Sequence, residues 1–392
     1  MKKILFVIMH LKMGGAERSL VNLLNEIDYN NYSVDLLLIK KEGELISQLP
    51  QNVNLIETPY ELHALFSNKI ESVKGIRLFF VRIHSIIYST VYGKIKRGDD
   101  CAVRWNQFYN KRIRGLDAEY DVAISYLAGP SMFYVANKVK AKKKIVFIHN
   151  DYQASGAVIG EYTDRPYFEK FNLIPTISDK CKNSLDQTFP DMKEKFVVIP
   201  NITSTQLIKM RANQFHPEEY NEAQNVICSV GRLNEQKGFD LAIQAAASLK
   251  KSGVSFGWYI IGEGEERKKL QELIANNQLE DCFFLLGIRD NPYPYLKNAD
   301  VVVQSSRYEG KSMVLDEAKI LAKPIVATNY TTVRDQLSDE EGLVVDMTPE
   351  GIAEGIQKML TDSKMREGFV KYLQQRDYGN TDEMEKFYDA LM

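Results

Sequence analysis

Two carboxylates, Glu309 and Glu317, stand eight positions apart in the run Ser-Ser-Arg-Tyr-Glu-Gly-Lys-Ser-Met-Val-Leu-Asp-Glu-Ala at 305–318. The run follows a short apolar strand at 300–304 and leads into a helix-like segment, with Glu309 in the loop and Glu317 in the helix. Open parallel sheets place ligands in the crevice beyond the carboxyl ends of their strands. This segment therefore puts acidic groups where a ligand would lie. Most carboxylates are only solvated, and Asp316 and Lys319 fit an exposed helix face. Glu309 differs because it precedes a helix start, where the N–H groups of Lys311, Ser312 and Met313 would point toward a ligand.

Other polar groups recur at the ends of apolar strands. Gly231-Arg232-Leu233-Asn234-Glu235-Gln236-Lys237-Gly238 carries a guanidinium fork and an ammonium point charge, a pairing suited to a diphosphate; solvated loop cations are the plain alternative. Gly14-Gly15-Ala16-Glu17-Arg18 lets the backbone approach a phosphate at a helix N-terminus, or forms a tight turn with no ligand. Gly262-Glu263-Gly264-Glu265-Glu266-Arg267 is half a dinucleotide fingerprint, with Arg267 where the third glycine belongs, and reads as a strand-to-helix turn. His149 closes another strand, ahead of Asn150-Asp151, as a titratable ring or a structural one. One shared cleft accounts for all these positions together.

Strands alternating with helices must position these loops, which predicts parallel α/β layers. Strands are expected at 4–9, 33–39, 121–125, 144–149, 173–178 and 196–199, with a helix at 16–27. A second series runs through strands at 226–230, 257–261, 282–286, 301–304, 324–327 and 343–345. Helices are expected at 239–250, 265–276 and 313–322. The chain of 392 residues is too long for one ordinary core. The expected division is a first domain at 1–205, a linker at 206–224 where the apolar rhythm is lost, a second domain at 225–375, and a C-terminal helix at 376–392 packing back on the first.

A hydrophobic content of 44% with 26% charged residues describes a globular chain. Four cysteines without a CxxC pair suit a reducing compartment and argue against a zinc site or a disulfide frame. The apolar run after Met1-Lys2-Lys3 reads as a buried strand rather than a signal segment. No apolar stretch reaches the roughly 20 residues that span a bilayer. A cytoplasmic location is expected, with contact at the inner face of the plasma membrane.

The motifs resemble those of the retaining, nucleotide-sugar-dependent glycosyltransferases of family 4 (group 1 glycosyltransferases), over nearly the whole length. Gly-Gly-Ala-Glu-Arg, Gly-Arg-Leu…Lys-Gly and the Glu-x7-Glu element come in the family's order and spacing. The resemblance implies the GT-B fold, two Rossmann-like doubly wound domains facing a central cleft. It implies transfer of a hexose or N-acetylhexosamine from a nucleoside diphosphate onto a glycan or lipid-linked acceptor in bacterial surface polysaccharide assembly; UDP is the expected nucleotide, with GDP the open alternative. It places Glu317 on the ribose, Arg232 and Lys237 on the diphosphate, and the Gly14/Gly15 backbone on the opposite wall. Glu309 and the amides of Lys311 to Met313 would contact the sugar, and His149 would lie near the bond that breaks. No metal or other cofactor is implied. The chain departs from the family's pattern at Lys311-Ser312-Met313, His149-Asn150 and Pro200-Asn201-Ile202, which opens the identity of the sugar and the hinge. A GT-B-fold epimerase or phosphorylase and an inert nucleotide-sugar-binding subunit are the alternatives. A dinucleotide oxidoreductase lacks its complete glycine motif.

The remaining feature is charge. Between Lys69 and Arg114, eleven Lys and Arg face only Glu71, Asp99 and Asp100, although the whole chain carries −2. Apolar residues at 76, 79, 80, 83, 86, 87 and 91 form one helical stripe within this region. One reading packs the stripe on the first sheet; another lays the basic region, 69–114, on an anionic membrane surface. Nucleic acid is the weaker partner, since no binding module accompanies the charge.

Overall fold

The computed structural model describes the chain except residues 13, 68–72, 97–99, 151, 154–160 and 222–223, and except the side chains of 92–96, 100 and 161–163. The chain forms two compact units, one comprising Met1–Ile202 with Asn380–Met392 and the other Thr203–Gly379.

The first unit is built on a parallel sheet of β1 (Lys2–Ile8), β2 (Tyr32–Leu38), β3 (Val53–Leu55), β4 (Glu119–Ser125) and β5 (Lys140–Val146), in the order β3-β2-β1-β4-β5. Ile4 through Ile8 are fully buried, as a central parallel strand covered on both faces requires. β6 (Ile174–Thr176) and β7 (Phe196–Val198) form a short parallel pair beyond β5, joined to it by the Ile145–Leu173 bridge. The three-residue β3 went unrecognised in the sequence. It is too short to show alternation, and its Asn54 is held by Asp35 of β2 at 2.7 Å.

The C-terminal helix Met384–Leu391 belongs to this first unit. Its Met384, Phe387, Ala390 and Leu391 are buried among β1 and β2 side chains. Phe387 stacks on Phe6 with ring centroids 6.2 Å apart, and Tyr388 stacks on Tyr32 at 5.3 Å.

In the second unit all six strands are parallel: β8 (Val226–Val230), β9 (Gly257–Ile261), β10 (Phe283–Gly287), β11 (Val301–Gln304), β12 (Ile325–Thr328) and β13 (Leu343–Val345), in the order β10-β9-β8-β11-β12-β13. Buried Trp258 donates to Ser229 Oγ at 3.1 Å, and Ser229 Oγ donates to the Val303 carbonyl at 2.7 Å. That chain of bonds ties β9, β8 and β11 together.

Two sequence expectations are corrected here. Residues 206–224, expected as a linker, lie inside the second unit, where helix Thr205–Ala212 buries Leu207, Ile208 and Ala212 and Tyr220 packs on Tyr259 at 4.6 Å. The polar composition of the stretch describes its outer face only. The second correction concerns helix Val73–Lys96, whose apolar stripe does not pack on the first sheet. Gly75, Leu78, Ser85 and Ser89 face inward, while Ile76, Phe80, Ile83, Ile87 and Val91 are exposed. Ser85 Oγ meets Tyr109 Oη at 2.8 Å, and Arg82 donates to the Ser67 carbonyl. Lys69, Glu71, Arg97 and Asp99 of the basic stretch lie outside the described residues.

Truncating Phe387 removes a buried ring from the seam between the terminal helix and β1. Phe387→Ala is expected to cost about 3–5 kcal/mol, read as a lowered denaturant midpoint for the whole chain.

Candidate functional site

In the second unit the chain runs from β8 outward to β9 and β10, then returns to β11 on the other side of β8. The order reverses between β8 and β11, the position where doubly wound sheets bind ligands. The loop after β8 carries Arg232 and Lys237, and the loop after β11 carries Glu309. Lys237 Nζ and Glu309 Oε1 meet there at 2.5 Å, with the Glu309 side chain only 8% accessible.

The backbone makes this pair possible. Gly238 has φ +61°, and a Cβ at that position would stand 2.2 Å from the Ser305 carbonyl oxygen. The left-handed conformation and the close approach both call for glycine. Ser305 Oγ donates to the Lys237 carbonyl at 2.8 Å, and the Arg307 amide donates to the Gln236 carbonyl at 2.7 Å. Arg307 then forks onto Asp240 at 2.8 and 2.7 Å. Burial acts to raise the Asp240 carboxyl, but the Arg307 hydrogen bonds and charge overcome it and hold its pKa below the usual value. The two loops are thus locked to each other at the backbone as well as through Lys237.

Glu309 receives more than the ammonium. Ser306 Oγ donates to it at 2.7 Å, and Gln304 Nε2 and Gln236 Nε2 each donate at 3.3 Å. Thr332 Oγ1 donates to its backbone carbonyl at 2.8 Å. Gln304, buried at the end of β11, also accepts from Ser312 Oγ at 2.7 Å. Ser312 in turn caps helix Met313–Ile320, accepting from the Leu315 amide. Gln304 therefore fixes the carboxylate and the helix start with one side chain. None of Gln236, Gln304, Ser306 and Gln336 was picked out from the sequence. The one available signal was the polar run Gln304-Ser305-Ser306 ending an apolar strand.

The other expected residues are distributed differently. Arg232 is exposed and its guanidinium makes no hydrogen bond or ion pair among the described residues. The Ser312 amide, expected to point at a ligand, donates instead to Gln336 Oε1 at 2.6 Å. Lys311 is exposed with its ammonium 3.3 Å from Asp316, and Met313 is half-buried. Glu317 is not beside Glu309: it is 1% exposed on the inward face of its helix and accepts from Tyr293 Oη at 3.2 Å. The 262–264 turn serves the loop after β8, since a Cβ on Gly262 would lie 1.9 Å from the Gly231 carbonyl oxygen.

In the first unit, Gly14 and Gly15 open helix Gly15–Glu26, and His149 follows β5. Ser19 of that helix meets Tyr126 Oη at 2.9 Å and donates to Asn201 Oδ1 at 2.8 Å. The Tyr126 ring lies 4.8 Å from the His149 ring. These contacts gather the glycine-led helix and the histidine around Tyr126. Both His149 nitrogens are buried and complete no hydrogen bond among the described residues. Burial pushes its pKa down to about 4, against the smaller opposing influence of the Tyr126 backbone and the Asn201 side chain. The imidazole is neutral near pH 7, with one nitrogen to donate a hydrogen bond and the other to accept one.

The architecture is that of the GT-B fold. The crystal structure of Anabaena Alr3699/HepE in complex with UDP and glucose superposes with a TM-score of 0.68 and 16% identity, covering 100% of this chain and 99% of that one. Residues 210–376, nearly all of the second unit, match the family described as Glycosyl transferases group 1. Along 94% of this chain and 93% of its own length, a Campylobacter jejuni protein is 25% identical. Its name is N-acetylgalactosamine-N,N'-diacetylbacillosaminyl-diphospho-undecaprenol 4-alpha-N-acetylgalactosaminyltransferase. An uncharacterized glycosyltransferase of Methanocaldococcus jannaschii, MJ1059, is 29% identical over 170 residues, which is 42% of each chain. This chain thus spans less than half of the latter relative and nearly all of the former.

The depressed pKa of His149 carries a sign. Between pH 6.5 and about 4 the unfolded imidazole holds a proton that the folded one refuses. Stability conferred by the neutral ring is therefore complete above pH 6.5 and falls as the pH drops toward 4, by up to about 3 kcal/mol. In His149→Phe this component is absent, so thermal midpoints measured from pH 7 to pH 4 should fall less steeply than in the parent chain.

Proposed function

We propose that this chain is a retaining glycosyltransferase that moves a hexose or N-acetylhexosamine from a UDP-sugar to a glycan or lipid-linked acceptor in surface polysaccharide biosynthesis. The observation that carries the reading is the Lys237–Glu309 pair at the β8/β11 switch point, inside the segment that matches the group 1 glycosyl transferases. A cation for a diphosphate and a carboxylate for sugar hydroxyls stand within one hydrogen bond of each other. Exposed Arg232 lies on the same loop. The Campylobacter relative, aligned over most of the chain, is named for an acceptor linked through diphosphate to undecaprenol. Contact with the inner face of the plasma membrane belongs to this reading, because such acceptors are anchored in a bilayer.

The chemistry assigns separate tasks. Breaking a sugar–phosphate bond leaves positive charge on the sugar and negative charge on the nucleoside diphosphate. Arg232 and Lys237 hold the leaving diphosphate as a preorganised electrostatic site, without a metal. As Lys237 turns to phosphate, Glu309 becomes available to the sugar while Ser306 and Gln304 keep it in place. The backbone of Gly14 and Gly15, at a helix start, offers N–H groups to phosphate. Glu317 accepts from the ribose while it holds Tyr293, and Lys311 and Met313 select the sugar, with Ser312 holding the helix start between them. The leaving phosphate takes the acceptor's proton on the face it departs from, which retains the configuration. His149, neutral and beside the reacting carbon, forms no covalent intermediate.

Glu309→Gln keeps the shape of the loop and removes the charge. Turnover of the accepted UDP-sugar should fall by about a hundredfold or more, with the native circular dichroism spectrum retained; near-normal turnover would remove Glu309 from the site. Arg232→Ala, at an exposed side chain, should weaken UDP binding about tenfold in calorimetry and leave stability unchanged. NMR of the product's anomeric signal tests retention directly.

A further inference from the structure

Helix Val73–Lys96 is inside out for a helix of a water-soluble core. Its inward positions are Gly75, Leu78, Ser85 and Ser89, and its outward face is a continuous stripe of Val73, Ile76, Phe80, Ile83, Ile87 and Val91. Spacings of three and four place those six side chains on one side of the helix. Phe80 is 63% exposed, Ile87 60% and Val91 56%. Of the fourteen large apolar side chains exposed among the described residues, eight lie on this one helix. Single exposed apolar residues are ordinary; a continuous stripe marks an interaction surface.

Charge selects the partner. The helix contains no Asp or Glu, and Arg77 and His84 are exposed at the border of the stripe. Lys111, Arg112 and Arg114 follow, all exposed. A second copy docked on this face would bring the same cationic helix against itself. An anionic lipid leaflet meets both requirements, taking the apolar stripe below its headgroups and the cations at them. At 1.5 Å per residue the stripe is about 27 Å long. No described helix is long and apolar enough to cross a membrane, so this one would lie on the surface.

We infer that helix Val73–Lys96 is the membrane-docking element of the chain, lying in the plane of an anionic leaflet with Phe80, Ile83 and Ile87 immersed. The inference deepens the reading above by naming the surface through which a lipid-linked acceptor is approached, and it rests on that reading only for the acceptor. Docking itself requires no nucleotide sugar.

The test is flotation of the full chain with phosphatidylcholine vesicles, with and without phosphatidylglycerol. The chain should float with the anionic vesicles and be released in part by salt, since screening weakens the charge component. Phe80→Glu combined with Ile87→Glu should lower the bound fraction at least about tenfold, while UDP binding and the thermal midpoint stay at parent values. In Phe80→Trp the added indole fluorescence should shift to the blue with anionic vesicles. Absence of flotation, flotation untouched by the double substitution, or an unshifted emission in Phe80→Trp overturns the inference. So does a stripe-dependent dimer in sedimentation that persists with vesicles present. A chain that floats but transfers no sugar keeps this inference and overturns the transfer reading instead.

Discussion

The second unit is organised by one electrostatic constraint: a nearly buried carboxylate that must be answered by donors from two different loops. Burying an unanswered charge costs several kcal/mol, and Glu309 meets Lys237, Ser306, Gln304 and Gln236. Lys237 and Gln236 come from the loop after β8, whereas Ser306 and Gln304 come from the end of β11. The close approach of Gly238 to Ser305 and the Arg307–Asp240 fork are what bring those two loops into range. Gln304 extends the same constraint into the N-cap of helix Met313–Ile320. A ligand entering here meets a polar network whose geometry is already set.

The cluster around Tyr126 in the first unit has the opposite character. There a titratable ring is buried among aromatic groups, with Phe147 at 5.8 Å and Tyr126 at 4.8 Å, and with no hydrogen bond completed at either nitrogen among the described residues. Such an environment disfavours the charged form. Its unused hydrogen-bonding capacity is a cost that a bound polar group would relieve. The two units therefore present different chemistries: donors gathered on a carboxylate in one, a neutral ring short of partners in the other.

Much of this was legible in the residues. Parallel strands buried on both faces read as continuous apolar runs, so Val226–Val230, Gly257–Ile261 and Val301–Gln304 fall where the sequence places them. The polar groups that end those runs mark the loops at the switch point. What stayed hidden depends on relations that no local pattern encodes. The Ser312 amide is taken by Gln336, twenty-four positions away, and Glu317 turns inward to Tyr293 on a preceding helix. The stretch 206–224 looks like a linker because its outward residues are polar, while Tyr220 and Leu207 hold it to a core. The three residues of β3 are too few to show an alternation, although Val53 and Leu55 pack on the core and Asn54 meets Asp35 of β2.

Helix Val73–Lys96 shows the same limit in its most consequential form. A period near 3.6 establishes that apolar residues share a face, but not that the face turns inward. Here the inward side is decided by groups that need partners: Ser85 finds Tyr109, and Arg82 finds the Ser67 carbonyl. Small residues at Gly75, Ser85 and Ser89 also bring this side of the helix close to its neighbours. Turning the stripe inward would expose those polar bonds and force Ile and Phe side chains into a seam shaped for glycine and serine. The outward stripe is thus fixed by packing rather than by chance exposure. A fold that holds six large apolar side chains outward, on a helix that carries cations and no carboxylate of its own, is built for a medium that is neither water nor its own core.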